Sequence, residues 1–203
     1  MIKAEREYRN LGLFSVEQRD GETEPSFFVE GYASTFDAYP LFTEDGVTYC
    51  ERIDPRAFNG ADMSDVVFLR DHSGRVLART KNGSITLNID DKGLHTRTNL
   101  GLTGAAREMH EDINAGNYTQ MSFAFTVAED HYERESHTRV IDRIAKLFDI
   151  SAVAFPANPY TDIGVSARDY FNGAIEAERA ERLEAEKRNA QIRRIKLLLE
   201  VTK

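Results

Sequence analysis

Three side chains in this sequence could together perform acyl transfer: His72, Ser122 and Asp149, in that chain order. Of the five histidines, His72, His95, His110, His131 and His137, only His72 directly follows a buried-looking strand, in VVFLRDHSGRV. A side chain at such a junction projects from a rigid element into a cleft. Ser122 stands in the aromatic and β-branched stretch TQMSFAFTV. Asp149 interrupts the most apolar segment, LFDISAVAF. A carboxylate there must be paired, protonated or functional, or else lie on the open face of an edge strand, because burying it alone is costly. A serine nucleophile needs a base to take its proton, and the base needs a third group to hold its tautomer. Many chains contain such a trio, so residue types alone leave surface and structural roles open for all three.

Other chemistries find less support. Ser122 is not in a Gly-x-Ser-x-Gly elbow, so an α/β-hydrolase is not indicated. The sequence has no His-Glu-x-x-His motif and no glycine-rich phosphate loop. His131 and His137 flank Glu133 and Glu135 in EDHYERESH, a polar loop between two strands. The single cysteine, Cys50, excludes an intrachain disulfide and a cysteine-rich metal site. In GVTYCERI it reads as a small, half-buried hydrophobe. No metal or cofactor is expected.

The elements that must position these groups are mostly short strands. Leu11–Val16 and Phe27–Ala33 read as a hairpin around RDGETEP, followed by a strand at Val47–Ile53. Asp54-Pro55 can open a short helix through RAFNG, with Asp as cap and Pro at the first position. Val66–Leu69 has the continuous apolar character of a buried strand. RVLART, SITLNID and LHTRTNL are separated by Lys81-Asn82-Gly83 and Asp91-Lys92-Gly93, which are hairpin signals. Thr103 can cap a helix that runs to about Ile113 and stops at Gly116, with Leu102, Ala106, Met109 and Ile113 at helical spacing. Tyr118–Val127, Thr138–Ile144 and Phe148–Phe155 complete the strands, the last ending at Pro156-Ala157-Asn158-Pro159. The expected fold is α+β, mainly β: a barrel of mostly antiparallel strands flanked by helices. Residues 1–166 form the expected main domain. Residues 167–203, rich in Ala, Glu, Arg, Lys and Leu, form a C-terminal helical extension. That helix either packs on its own domain, or docks on a partner or a copy of itself.

With 203 residues, 41% hydrophobic and 30% charged, the chain suits one soluble domain with an appendage. A net charge of −8 argues against a broad nucleic-acid surface. The N-terminal MIKAEREYRNLGLF lacks an apolar core and is not read as a signal peptide. No apolar run approaches the roughly 18 residues of a membrane span. The expectation is a soluble cytoplasmic protein with no membrane partner.

The ordered motifs resemble the tailed-phage prohead (head-maturation) protease family. They are Gly31-Tyr32-Ala33-Ser34-Thr35-Phe36, the strand ending in His72, Met121-Ser122-Phe123-Ala124-Phe125, and Asp149-Ile150-Ser151 leading to Pro156-Ala157-Asn158-Pro159. The resemblance spans residues 25 to 165. It implies a serine endopeptidase related to the herpesvirus assembly proteases, with their barrel. Residue by residue it puts the nucleophile on Ser122, the base on His72 and the third member on Asp149, where family members often carry Glu. His131 and His137 stay open for the third role. Ala157 and Asn158 are the expected oxyanion donors. The resemblance also implies the substrate: the scaffolding protein, or the scaffolding segment of the major capsid protein, cleaved inside the prohead in the host cytoplasm, usually together with self-cleavage. A catalytically inactive assembly module on the same fold is the alternative.

Overall fold

The computed structural model describes residues 6–16, 26–154 and 164–201. The chain divides into two compact units, Met1–Ile163 and Gly164–Lys203. The first holds β1 (Glu7–Val16), β2 (Phe28–Thr35), β3 (Tyr39–Glu44), β4 (Val47–Ile53), β5 (Val67–Arg70), β6 (Ser73–Arg79), β7 (Ile85–Ile89) and β8 (Gly93–Asn99). Helix α1 (Gly104–Asn114) follows, then β9 (Gln120–Glu133) and β10 (Thr138–Val153). The second unit is the single helix α2 (Gly164–Val201). No described helix is long and apolar enough to cross a membrane.

The ten strands pair in the order β3-β4-β10-β9-β1-β2-β8-β7, with β5 joining β10 and β6. The fold is α+β and mainly β, as expected. The path is open, however: among the described residues β3 and β7 do not pair, so these pairings close no barrel. Most pairs are antiparallel, but β10 runs parallel to both β4 and β5.

Strand β10 organises the unit. The sequence suggests two strands here, Thr138–Ile144 and Phe148–Phe155. The structure has one 16-residue strand whose register against β9 shifts four times between Ile141 and Asp149. Bulges absorb the polar residues between the two apolar runs, so pairing continues through them. Thr138–Ile141 lie beside β4, and Asp149–Ala152 beside β5. The connecting chain follows the same edge: Asp62 N donates to Ala145 O at 2.9 Å, and Ile144 N donates to Ala57 O at 2.9 Å. This recruitment explains why the expected helix at Asp54-Pro55 is instead a set of turns. Asp54 does accept from Arg56 N, but the segment's backbone serves the β10 edge, and Gly60 at φ 81° ends it. Strand β3 was not expected, because Tyr39-Pro40 and Thr43-Glu44 dilute its apolar pattern. Its hairpin turns on Asp45 and Gly46, both at positive φ.

The helix cap is as expected: Thr103 Oγ1 accepts from Ala106 N, and Gly116 follows the end of α1 at φ 80°. Ala106, Met109, His110 and Ile113 are buried, but Leu102 precedes the cap and is exposed. Cys50 is half-buried, and burial pushes its thiol pKa up, which disfavours the thiolate. In α2, residues 181–197 are exposed throughout.

The core is built by alternation. Met121, Phe123 and Phe125 of β9, and Ile150 and Ala152 of β10, point into one cluster with Phe68, Ile53 and Leu94. The intervening residues of β9 and β10 therefore face the other way.

Candidate active site

Alternation puts Ser122 and Ala124 on the β9 face opposite the aromatic core, and Asp149 and Ser151 on the matching face of β10. Ser122 sits directly across from Ser151, and Ala124 across from Asp149. β5 pairs with β10 from the other side, with Leu69 beside Ser151 and Arg70 beside Ala152. The turn after β5 thus delivers His72 over the Ser122–Asp149 face.

That turn is unusual. Arg70 pairs with Ser73, so β5 and β6 are joined by the two residues Asp71 and His72. Both have positive φ, 48° and 54°. This is the backbone of a tight hairpin turn that normally selects Asn-Gly. Non-glycine residues in this region cost about 1 kcal/mol or more each. Surrounding bonds hold them there: Asp71 N donates to Ala152 O at 3.0 Å, and Ala154 N donates to Asp71 Oδ1 at 3.3 Å.

The three side chains meet. His72 Nε2 lies 2.6 Å from Ser122 Oγ, and His72 Nδ1 lies 2.6 Å from Asp149 Oδ1. An ionised Asp149 only accepts, so Nδ1 carries the proton and donates to it. Nε2 is then left to accept from the Ser122 hydroxyl. Ser122 is fully buried, Asp149 is 2% exposed, and the His72 side chain is 17% exposed. The buried carboxylate is not an orphan, since His72 and Ser151 both donate to it. The arrangement can deprotonate Ser122 on attack and stabilise the resulting imidazolium.

Two neighbours were not anticipated. Tyr8 of β1 places its ring edge-on to His72, with centroids 4.6 Å apart at 67°. The charged run KAEREYRN hides the start of β1, which was expected only from Leu11. Ser151 Oγ donates to Asp149 Oδ1 at 2.8 Å and lies 3.2 Å from His72 Nδ1. Its two-residue spacing from Asp149 in a strand was the available signal. A cleft of about 220 Å³ opens beside the turn, lined in part by Arg70, Ser73, Arg75, Leu77, Glu108 and Met109.

The histidines left open for the third role lie elsewhere. His131 is opposite Val140, nine β9 residues from Ser122, or about 30 Å along the strand. His131 Nδ1 contacts Asp142 Oδ2 at 2.6 Å, and that bond raises the imidazole pKa. His137 Nδ1 contacts the Tyr132 hydroxyl at 3.1 Å. Among the described residues no group of three His, Cys, Asp or Glu is placed to hold a metal ion. The expected oxyanion turn at Ala157 and Asn158 lies outside the described residues.

Comparison with known proteins agrees with the family resemblance of the sequence. The chain matches the model of the caudovirus prohead serine protease family over residues 14–175, which include His72, Ser122 and Asp149. It is 31% identical over 157 residues to the prohead protease of Enterobacteria phage HK97, covering 75% of this chain and 68% of that protein. No solved structure matches significantly. With a family match over most of its length, this chain belongs to the caudovirus prohead serine proteases and is a serine protease of phage capsid maturation.

Proposed function

We propose that Ser122 is the nucleophile, His72 the general base and general acid, and Asp149 the group that orients and stabilises the imidazolium. The observation that carries this reading is the continuous contact from Asp149 through His72 to Ser122, at 2.6 Å on each side. Ser122 Oγ attacks the scissile carbonyl as Nε2 takes its proton. His72 then protonates the leaving amine, and water hydrolyses the acyl-enzyme. The proposed oxyanion donors are the backbone N–H groups of Ala157 and Asn158, each worth about 3 kcal/mol in the barrier. Pro156 and Pro159 have no N–H to offer.

Family membership supports a reading of the substrates as well. The proposed substrates are the scaffolding protein, or the scaffolding segment of the major capsid protein, and the protease itself, inside the prohead assembled in the host cytoplasm. An inactive assembly module would have no use for the intact three-residue contact.

Coexpression with the cognate capsid precursor tests this. Wild type is expected to remove a defined segment, identified by mass spectrometry of the products, and Ser122→Ala to leave the precursor whole. Equal processing by both would end the assignment. The helical extension, residues 167–203, is proposed to dock the enzyme during assembly. Deleting residues 175–203 is expected to reduce protease incorporation into proheads severalfold more than hydrolysis of a short peptide. An equal loss of both would contradict a docking role.

A further inference from the structure

We propose that Ser151 is a positioning residue of the same site, a fourth member that holds the Asp149 carboxylate against His72; this rests on the catalytic reading of Ser122, His72 and Asp149.

The Ser151 side chain is fully buried. A buried hydroxyl normally finds a nearby backbone acceptor, which would be a purely structural outcome. Here its partners are instead the two groups that act on Ser122. Its proton goes to Asp149 Oδ1, at 2.8 Å. An oxygen lone pair is then left facing the Nδ1 proton of His72, 3.2 Å away. Asp149 Oδ1 thus receives two donors, and His72 Nδ1–H lies between two acceptors.

Physical need and topology agree on the role. The terminal torsion of an aspartate is broad and poorly defined on its own. This carboxylate must keep one oxygen on Nδ1, and the Ser151 hydroxyl pins that oxygen from the same strand, two residues away. Burial keeps water from taking over when the hydroxyl is removed. Ser151 also sits at the crossing of every element that builds the site. It faces Ser122 across β9 and Leu69 across β5, and the next residue, Ala152, accepts from Asp71 in the His72 turn.

The test is a double-mutant cycle on the full chain, with an activated ester substrate so that slow variants remain measurable. Ser151→Ala in the wild-type background is expected to lower kcat about tenfold and move KM less than twofold, the loss of one ordinary hydrogen bond. In the Asp149→Asn background the same substitution is expected to cost less than twofold, because the oriented carboxylate is already gone. The far-downfield proton NMR signal of His72 Nδ1–H should broaden or disappear in Ser151→Ala. A loss below twofold in wild type, or equal losses in both backgrounds, would overturn the role. Should Ser151→Ala fail to fold, the near-isosteric Ser151→Cys is put through the same cycle under the same criteria. Failure of the triad reading is seen separately, as full activity in Ser122→Ala.

Discussion

Exchanging Asp149 for asparagine is expected to lower kcat about 10⁴-fold while leaving KM within a few-fold. The change is nearly isosteric, so the fold should hold. Its effect comes from the tautomer. An ionised Asp149 can only accept, which places the proton on Nδ1 and leaves the Nε2 lone pair for Ser122. An asparagine amide can turn its NH₂ toward Nδ1, which then has to accept. The proton moves to Nε2, where it faces Ser122 Oγ and can take nothing from it. Steady-state hydrolysis of a peptide substrate would measure this. A loss under tenfold would mean that Asp149 is a structural partner and that another group orients His72. The experiment also tests the resemblance, which implies that a Glu often stands at this position, one methylene longer than Asp149. The 2.6 Å contact shows that the shorter side chain still reaches Nδ1.

The second large effect is expected in stability. Glu51→Ala should destabilise the protein by about 3 kcal/mol, because it takes the bidentate partner from a buried guanidinium and leaves it only Glu7, at 2.6 Å, to balance its charge. Arg9 and Glu51 are 1% and 0% exposed in their side chains, and they pair in bidentate fashion at 2.5 and 2.7 Å. Tyr39 also donates to Glu51 Oε1, and Arg139 reaches Glu51 Oε2 at 3.1 Å. Arg139 in turn binds Glu7 and Asp130. Burial works most strongly against the charge on Arg9, but the charge and hydrogen bonds of Glu51, together with Tyr39 and Glu7, raise the guanidinium pKa. Burial likewise pushes Glu7 up, and the hydrogen bond from Arg139 with the charges of Arg9 and Arg139 brings it below the ordinary carboxylate value. The network ties β1, β3, β4, β9 and β10 together. For a chain of this size the drop in Tm is about 10 °C. A drop under about 3 °C would mean that the charges are hydrated rather than buried. The pair of substitutions Arg9→Met and Glu51→Leu is expected to recover most of the loss, because no charge is then left alone. Glu51→Ala should also lower activity at temperatures where the protein is folded. Arg9 anchors the strand whose neighbouring residue, Tyr8, packs on the His72 ring.

Both expectations rest on residues that the sequence reveals unequally. Local patterns were legible. Alternation in MSFAF and DISAVAF identifies strands, the cap at Thr103 marks a helix start, and the ordered motifs single out His72, Ser122 and Asp149. The strand and cap signals depend on neighbours within a few residues, whose effects follow from backbone geometry, whereas the three site residues stand out only through the family resemblance that their motifs carry. The Arg9–Glu51 pair had no such signal, because its partners are 42 residues apart and neither side chain looks buried by its neighbours. The merging of two apolar runs into β10, the loss of the Asp54-Pro55 helix and the strand β3 were likewise decided by sheet edges that had to be satisfied.

The site follows the same division. The sequence by itself determined the chemical identities and their elements: a serine and an aspartate within two apolar strands, with a histidine at a strand end. Tertiary structure alone decided that they meet. Ser122 is 50 residues from His72, and Asp149 is 77. Pairing β5 with β10, and β10 with β9, closes both gaps at once. Once those registers are set, the period of two along each strand aims Asp149, Ser151 and Ser122 at the same spot, and the strained Asp71-His72 turn drops the imidazole between them.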